Sequence, residues 1–138
     1  MEIAIRYYSK SGNTKKVADA ISKVIGVPAE TVDTPLSGQV DLLFLGSAVY
    51  GAGVDTKVKD FITSLDAGKV KKVVNFSTAA LLPSTYSQIS KLLGAKGISL
   101  DEREFHCRGK FTVMHGGRPN EKDLENAREF AQSVIKNS

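Results

Sequence analysis

Strand-like and helix-like hydrophobic patterns alternate from one end of the chain to the other, and this restricts the fold more than any other feature. Ile3, Ala4, Ile5, Tyr7 and Tyr8 make a buried opening strand. Val17, Ala18, Ile21, Val24 and Ile25 then recur at helical spacing, and Gly26 and Pro28 stop that helix. A short strand is expected near Ala29 to Val32. From Asp33 to Val40 the chain holds Pro35 and Gly38, so this stretch carries at most a turn or two of helix. Asp41-Leu42-Leu43-Phe44-Leu45-Gly46 is the clearest strand, apolar on both faces like the middle of a parallel sheet covered by helices. Asp55 is placed to cap a helix whose apolar face is Val58, Phe61, Ile62 and Leu65. Val70, Val73, Val74 and Phe76 make a fourth strand. Ser84 caps the next helix, with Ile89, Leu92 and Leu93 inward and Gly94 at its end. A fifth strand is expected between Ile98 and Val113, with Phe105, Cys107 and Phe111 in the core, but Asp101-Glu102-Arg103-Glu104 interrupts its pattern. Asn120 caps a last helix, Asp123 faces its dipole, and Leu124, Ala127, Phe130, Ala131, Val134 and Ile135 form its buried stripe.

This alternation implies an α/β fold, a parallel sheet with helices on both faces. Right-handed crossovers leave few topologies, and the doubly wound arrangement leads them. The 138 residues fit one domain, and no linker, repeat or low-complexity stretch divides them. The net charge is +4, but the basic residues are scattered. The densest groups are Lys15-Lys16 and Lys69 to Lys72, broken by Val70, which argues against a nucleic-acid interface. The longest apolar run, around Leu42 to Leu45, is strand-sized, so no membrane insertion is expected. The N-terminus lacks a signal-peptide pattern, and the single Cys107 excludes an internal disulfide and a CxxC motif. A cytoplasmic protein is the expectation.

In doubly wound folds ligands sit beyond the carboxyl ends of the strands, where the strand order reverses. The turn after the first strand reads Ser9-Lys10-Ser11-Gly12-Asn13-Thr14. Its chemistry suits a phosphate monoester. Gly12 permits a tight turn and close backbone approach. Ser9, Ser11 and Thr14 bring hydroxyls, and Asn13 a side-chain amide. Backbone N–H groups at the start of the helix add donors, and the helix dipole favours an anion there. Lys10, Lys15 and Lys16 add long-range attraction. The same residue types also suit an ordinary strand-to-helix turn with capping hydroxyls. Neither GxxxxGK[ST] nor GxGxxG is present in this turn.

Tyr7-Tyr8-Ser9-Lys10-Ser11-Gly12-Asn13-Thr14 resembles the flavodoxin signature, an aromatic strand end followed by [ST]-x-[ST]-G-x-[ST]. Gly46-Ser47-Ala48-Val49-Tyr50-Gly51 is similar to that family's second loop. Length and element order match a short-chain flavodoxin over nearly the whole chain. The resemblance implies a five-stranded sheet of order 2-1-3-4-5, and FMN lying across the ends of the first, third and fourth strands. Ser47 and Ala48 would then flank the flavin ring and Tyr50 would pack on it; a plain cover of the sheet end is the alternative for Tyr50. A peptide of Gly51, or next of Gly53, would turn a carbonyl toward the flavin N5 on reduction, with an ordinary glycine turn as the competing reading. Thr78, Ala79 and Ala80, in the expected loop Ser77 to Pro83, would give backbone contacts to the pyrimidine edge.

The sequence departs from the family in three ways. No aromatic follows the fourth strand until Tyr86. Flavodoxins are usually acidic, whereas this chain is basic with only Asp55 near the ring loops, so a less negative second-electron potential is expected. Arg6 lies in a strand that should be central, with Asp33 and Asp41 as partners to consider. His106 and His115 have no metal-like spacing to Cys107 or to a carboxylate cluster, and His115-Gly116-Gly117-Arg118 reads as a basic loop. No Ser/His/Asp set, carboxylate pair or receiver-type acidic cluster stands at the strand ends. Three functions follow: an FMN carrier of one or two electrons between redox partner proteins, an FMN-dependent NAD(P)H- or quinone-type oxidoreductase, and a flavodoxin-like binding module without FMN.

Overall fold

The computed structural model describes residues 1–49, 53–79, 84–109 and 117–138. Within them five strands and four helices follow one another as β1 (Ile3–Tyr7), α1 (Asn13–Ile25), β2 (Ala29–Thr31), β3 (Val40–Val49), α2 (Thr56–Ser64), β4 (Val70–Ala79), α3 (Tyr86–Lys96), β5 (Ser99–Arg108) and α4 (Glu121–Lys136). The strands form one parallel sheet of order β2-β1-β3-β4-β5. This is the doubly wound order that the resemblance implies. The order reverses between β1 and β3, and the expected site residues lie at the strand ends on either side of that point.

The clear strand is apolar on both faces because both are covered. Leu42 and Phe44 of β3 join Ile5, Val74 and Phe76 against α1 and α4. Leu43 and Leu45 join Val73 against α2 and α3, with Val58, Ile62, Ile89 and Leu93. Period-two side chains of one strand thus feed two cores.

Between β2 and β3 the chain runs as turn and coil, without helix. The buried Arg6 holds this segment. Its guanidinium donates to the carbonyls of Thr34 at 2.8 Å and Pro35 at 3.0 Å, and pairs with Glu30 at 3.3 Å. The partner is therefore Glu30 and not Asp33 or Asp41, because the parallel register sets Arg6 beside Glu30 on β2. Where a helix would lie, a cavity of about 570 Å³ opens between this segment and α2, with Val32, Leu36, Phe61 and Val70 among its walls.

Three expected boundaries are corrected. The charged run 101–104 lies inside β5 and does not interrupt it. Asp101 is buried, but Arg103 contacts both its oxygens, at 3.0 and 2.7 Å, and Lys72 lies 3.9 Å away. Helix α3 runs past Gly94 to Lys96, and Gly97 supplies the left-handed cap (φ 71°). Strands β3 and β4 continue to Val49 and Ala79, so Ser47, Ala48, Ser77, Thr78 and Ala79 are strand residues, not loop residues. Cys107 is buried and Phe105 half-buried; Phe111 lies outside the described residues.

Candidate functional site

Every helix follows a parallel strand, so all helix N-termini gather at the carboxyl edge of the sheet. Two of them, α2 and α4, carry side-chain caps. Asp55 Oδ1 accepts the Lys57 N–H at 2.9 Å, as expected of a cap on α2. At α3 the expected cap is corrected: the N-cap is Thr85, whose side chain caps nothing because it is bonded to Ser47 and Asn75, and Ser84, one residue earlier, accepts the Tyr86 N–H at 3.0 Å. At α4 a reciprocal box forms, Asn120 Oδ1 accepting the Asp123 N–H and Asp123 Oδ2 the Asn120 N–H, each at 2.9 Å.

Helix α1 is finished differently. Its N-cap is Gly12, in the left-handed region at φ 92°, where a side chain is strained and no side-chain cap exists. Its first turn holds no acidic residue. The loop before it folds back on itself, the Gly12 N–H donating to Ser9 Oγ at 3.0 Å, so the Ser9 hydroxyl keeps its own proton to donate. Ser9 and Gly12 are half-buried, and Lys10 and Ser11 exposed. The Tyr8 N–H donates to the Gly46 carbonyl at 3.1 Å, which ties the loop's entry to β3.

Asn13 and Thr14 belong to the first turn of α1, and both are buried. Thr14 Oγ1 lies 2.9 Å from Thr78 Oγ1, so the structure joins two of the expected site residues across 64 positions of sequence. Asn13 packs beside the end of β5, where a Cβ on Gly109 would stand 2.7 Å from its Nδ2. On the opposite face Ser47 Oγ donates to Thr85 Oγ1 at 2.9 Å, and Asn75 Nδ2 to the same oxygen at 3.2 Å. The Thr85 N–H donates to Ser77 Oγ at 3.3 Å. All four side chains of this knot are fully buried. Asn75 and Thr85 were not foreseen; the one available signal is a polar residue inside the apolar run of β4, which needs a buried partner.

Tyr50, Gly51 and Ala80 lie outside the described residues, as does His115. Ala48 and Ala79 are buried at the strand ends, and Gly53 is half-buried. His106 is turned to Glu104, its Nδ1 2.5 Å from Oε2, while Ser84 donates to the other carboxylate oxygen. Arg118 pairs with Asp123 at 2.5 and 2.7 Å. Burial, and then Asp123, push the Cys107 thiol up to about 12, so it stands protonated and is no nucleophile. Among the described residues no group of three His, Cys, Asp or Glu side chains is placed to hold a metal ion, and no helix is long and apolar enough to cross a membrane.

The donor set at α1 fits a phosphate monoester: hydroxyls, first-turn amides under a side-chain-free cap, and no carboxylate. Comparisons with known proteins agree in fold. The family model of the flavodoxin domain matches residues 4–115. An uncharacterised protein of Methanocaldococcus jannaschii is 29% identical, over 91% of each chain. Among solved structures, a flavodoxin from the domain Archaea superposes with TM-score 0.78 and 18% identity, over 99% of this chain and 98% of that one. A flavoprotein of Lactobacillus acidophilus solved in complex with FMN superposes at 0.62 with 19% identity, over 78% of this chain and 92% of that one.

Proposed function

The chain belongs to the flavodoxin domain family, and on that premise we propose that it binds FMN and carries one or two electrons between partner proteins in the cytoplasm. One observation carries this reading: α1 begins at a left-handed glycine, which has no side chain to cap it, directly after the hydroxyl-bearing turn at the strand-order reversal.

Ser9, Ser11, Gly12 and the first-turn amides of Asn13 and Thr14 hold the phosphate. Hydrogen bonds and the helix dipole carry its charge, with Lys10, Lys15 and Lys16 as a distant positive field. The Thr14 hydroxyl serves by locking the first turn of α1 to β4 through Thr78. Ser47, Ala48, Thr78 and Ala79 form the floor at the strand ends, and Tyr50, Gly51, Gly53 and Ala80 belong to the segments that meet the ring. FMN, when bound, supplies the redox chemistry. The protein's work is to bind, orient and exclude water; no side chain is assigned as catalytic acid or base. Asp55, which caps α2, is the one acid beside the ring loops in the sequence, so little negative charge opposes reduction, and the second-electron potential is expected to be less negative than in acidic flavodoxins. A potentiometric titration that finds a very low second couple would overturn that point.

Titration of the purified protein with FMN, followed by quenching of flavin fluorescence, tests the reading. Tight quenching that weakens in the Ser11→Ala, Thr14→Ala variant supports it. No quenching at micromolar FMN sinks it. Failure of the loaded protein to oxidise NAD(P)H by itself separates a carrier from an oxidoreductase.

A further inference from the structure

We propose that Gln88 of α3 is the residue that positions Gly53 for the flavin ring; this rests on the FMN reading above. Gln88 Oε1 accepts the Val54 N–H at 2.9 Å. That N–H belongs to the Gly53–Val54 peptide, so one hydrogen bond fixes the plane of the peptide and the direction of the Gly53 carbonyl. Gly53 is shaped to this contact. A Cβ at position 53 would stand 3.2 Å from Gln88 Nε2 and 3.4 Å from Oε1, so a side chain there requires the amide to give by a few tenths of an ångström.

The lever is anchored. Gln88 lies three residues after Thr85, one turn along the helix. Thr85 is fully buried and bonded to Ser47 of β3 and to Asn75 and Ser77 of β4. Ser84 ties the same turn to Glu104 of β5. The start of α3 is thus fixed to three strands, and Gln88 reaches from that fixed base to Gly53–Val54. A freely packed surface glutamine would show neither the anchored base nor the glycine opposite it. Glutamine also carries both a donor and an acceptor, so rotation of its amide serves the peptide in either orientation.

The test compares riboflavin, which has the ring and no phosphate, with FMN. Loss of one hydrogen bond in Gln88→Leu is expected to weaken both ligands by the same factor, about tenfold. Gln88→Glu keeps an acceptor for the Val54 N–H and is expected to bind riboflavin within about twofold of the unaltered chain. Gly53→Ala displaces the same amide without touching α3. Its effect and that of Gln88→Leu are expected not to add, the double variant being no weaker than the single ones. The Gly53→Ala arm and the Gln88→Glu rescue stand even where Gln88→Leu folds poorly. Riboflavin binding unchanged in Gln88→Leu, full additivity with Gly53→Ala, or no rescue by Gln88→Glu would overturn the inference. If the unaltered chain binds neither flavin, the FMN reading itself fails, a result separate from any of these.

Discussion

Helices α1 and α4 pack side by side on one face of the sheet, start at the same edge, and are closed in opposite ways. The α4 N-terminus satisfies itself. Asn120 and Asp123 exchange hydrogen bonds, Glu121 and Asp123 place negative charge in the first turn, and Arg118 neutralises Asp123. The α1 N-terminus has a left-handed glycine for a cap, no acid, and a turn of hydroxyls before it. The dipole of both helices favours an anion at this end. At α4 the chain provides that anion itself; at α1 it does not, and the proposed reading gives the place to the FMN phosphate. A helix closed by its own residues gains stability, which a helix left open forgoes.

Giving α1 the kind of acid that α4 has is the change with the largest expected effect. Ser11→Asp sets a carboxylate where the phosphate belongs and is expected to weaken FMN by roughly 100-fold. Riboflavin binding stays unchanged, and the melting temperature holds or rises because the dipole gains its anion. Parallel titrations with the two flavins and a thermal melt check all three outcomes.

Opening α4 is the converse. Asp123→Ala removes half of the capping box and the partner of Arg118 and is expected to cost about 1–2 kcal/mol, with FMN affinity unaltered. It also changes the acid limb. Burial raises the Asp123 pKa, but Arg118 and the Asn120 N–H lower it by more, so the net shift is downward. A depressed carboxylate contributes stability above its unfolded value and loses it as pH falls through the folded one. The difference in stability between the parent and Asp123→Ala is therefore full above the ordinary carboxylate range and shrinks below it. Denaturation at neutral pH and at pH values below that range measures this.

The Thr14–Thr78 pair separates the two helices more finely. Thr14→Val strands a buried hydroxyl on Thr78 and is expected to cost about 1–2 kcal/mol, whereas Thr14→Val with Thr78→Val costs less than the sum of the two singles. A double-mutant cycle by chemical denaturation reads the coupling. The smallest effect is at Lys15, exposed and paired with Asp19 at 2.7 Å. Lys15→Gln is expected to change FMN affinity less than about threefold, and only at low salt.

How much of this was legible in the sequence follows from which forces are local. The period of Leu42 to Leu45 and of Val58 to Leu65 announced the layers because burial acts on every residue of an element. Pro35 and Gly38 limited the connection to a turn or two of helix at most, and Asn120 with Asp123 announced the α4 cap, since both act within a few residues. Register was not legible, and so Glu30 was not foreseen as the partner of Arg6. Charge inside a strand misled at Asp101, because the edge strand β5 lets Arg103 reach it from the same strand. Gly94 was read as the end of α3, and only the backbone shows that Gly97 takes the left-handed turn. At the site, the turn Ser9 to Thr14 could be read directly. The knot of Ser47, Asn75, Ser77 and Thr85 could not, because its members come from three elements that meet only in the folded chain.

The most direct test of the central claim is the ratio of FMN to riboflavin affinity in the unaltered protein, measured by fluorescence titration. An open α1 N-terminus that holds the phosphate predicts FMN tighter than riboflavin by at least about tenfold, the worth of charge-assisted hydrogen bonds. Equal affinity for the two, or no binding of FMN, would contradict it.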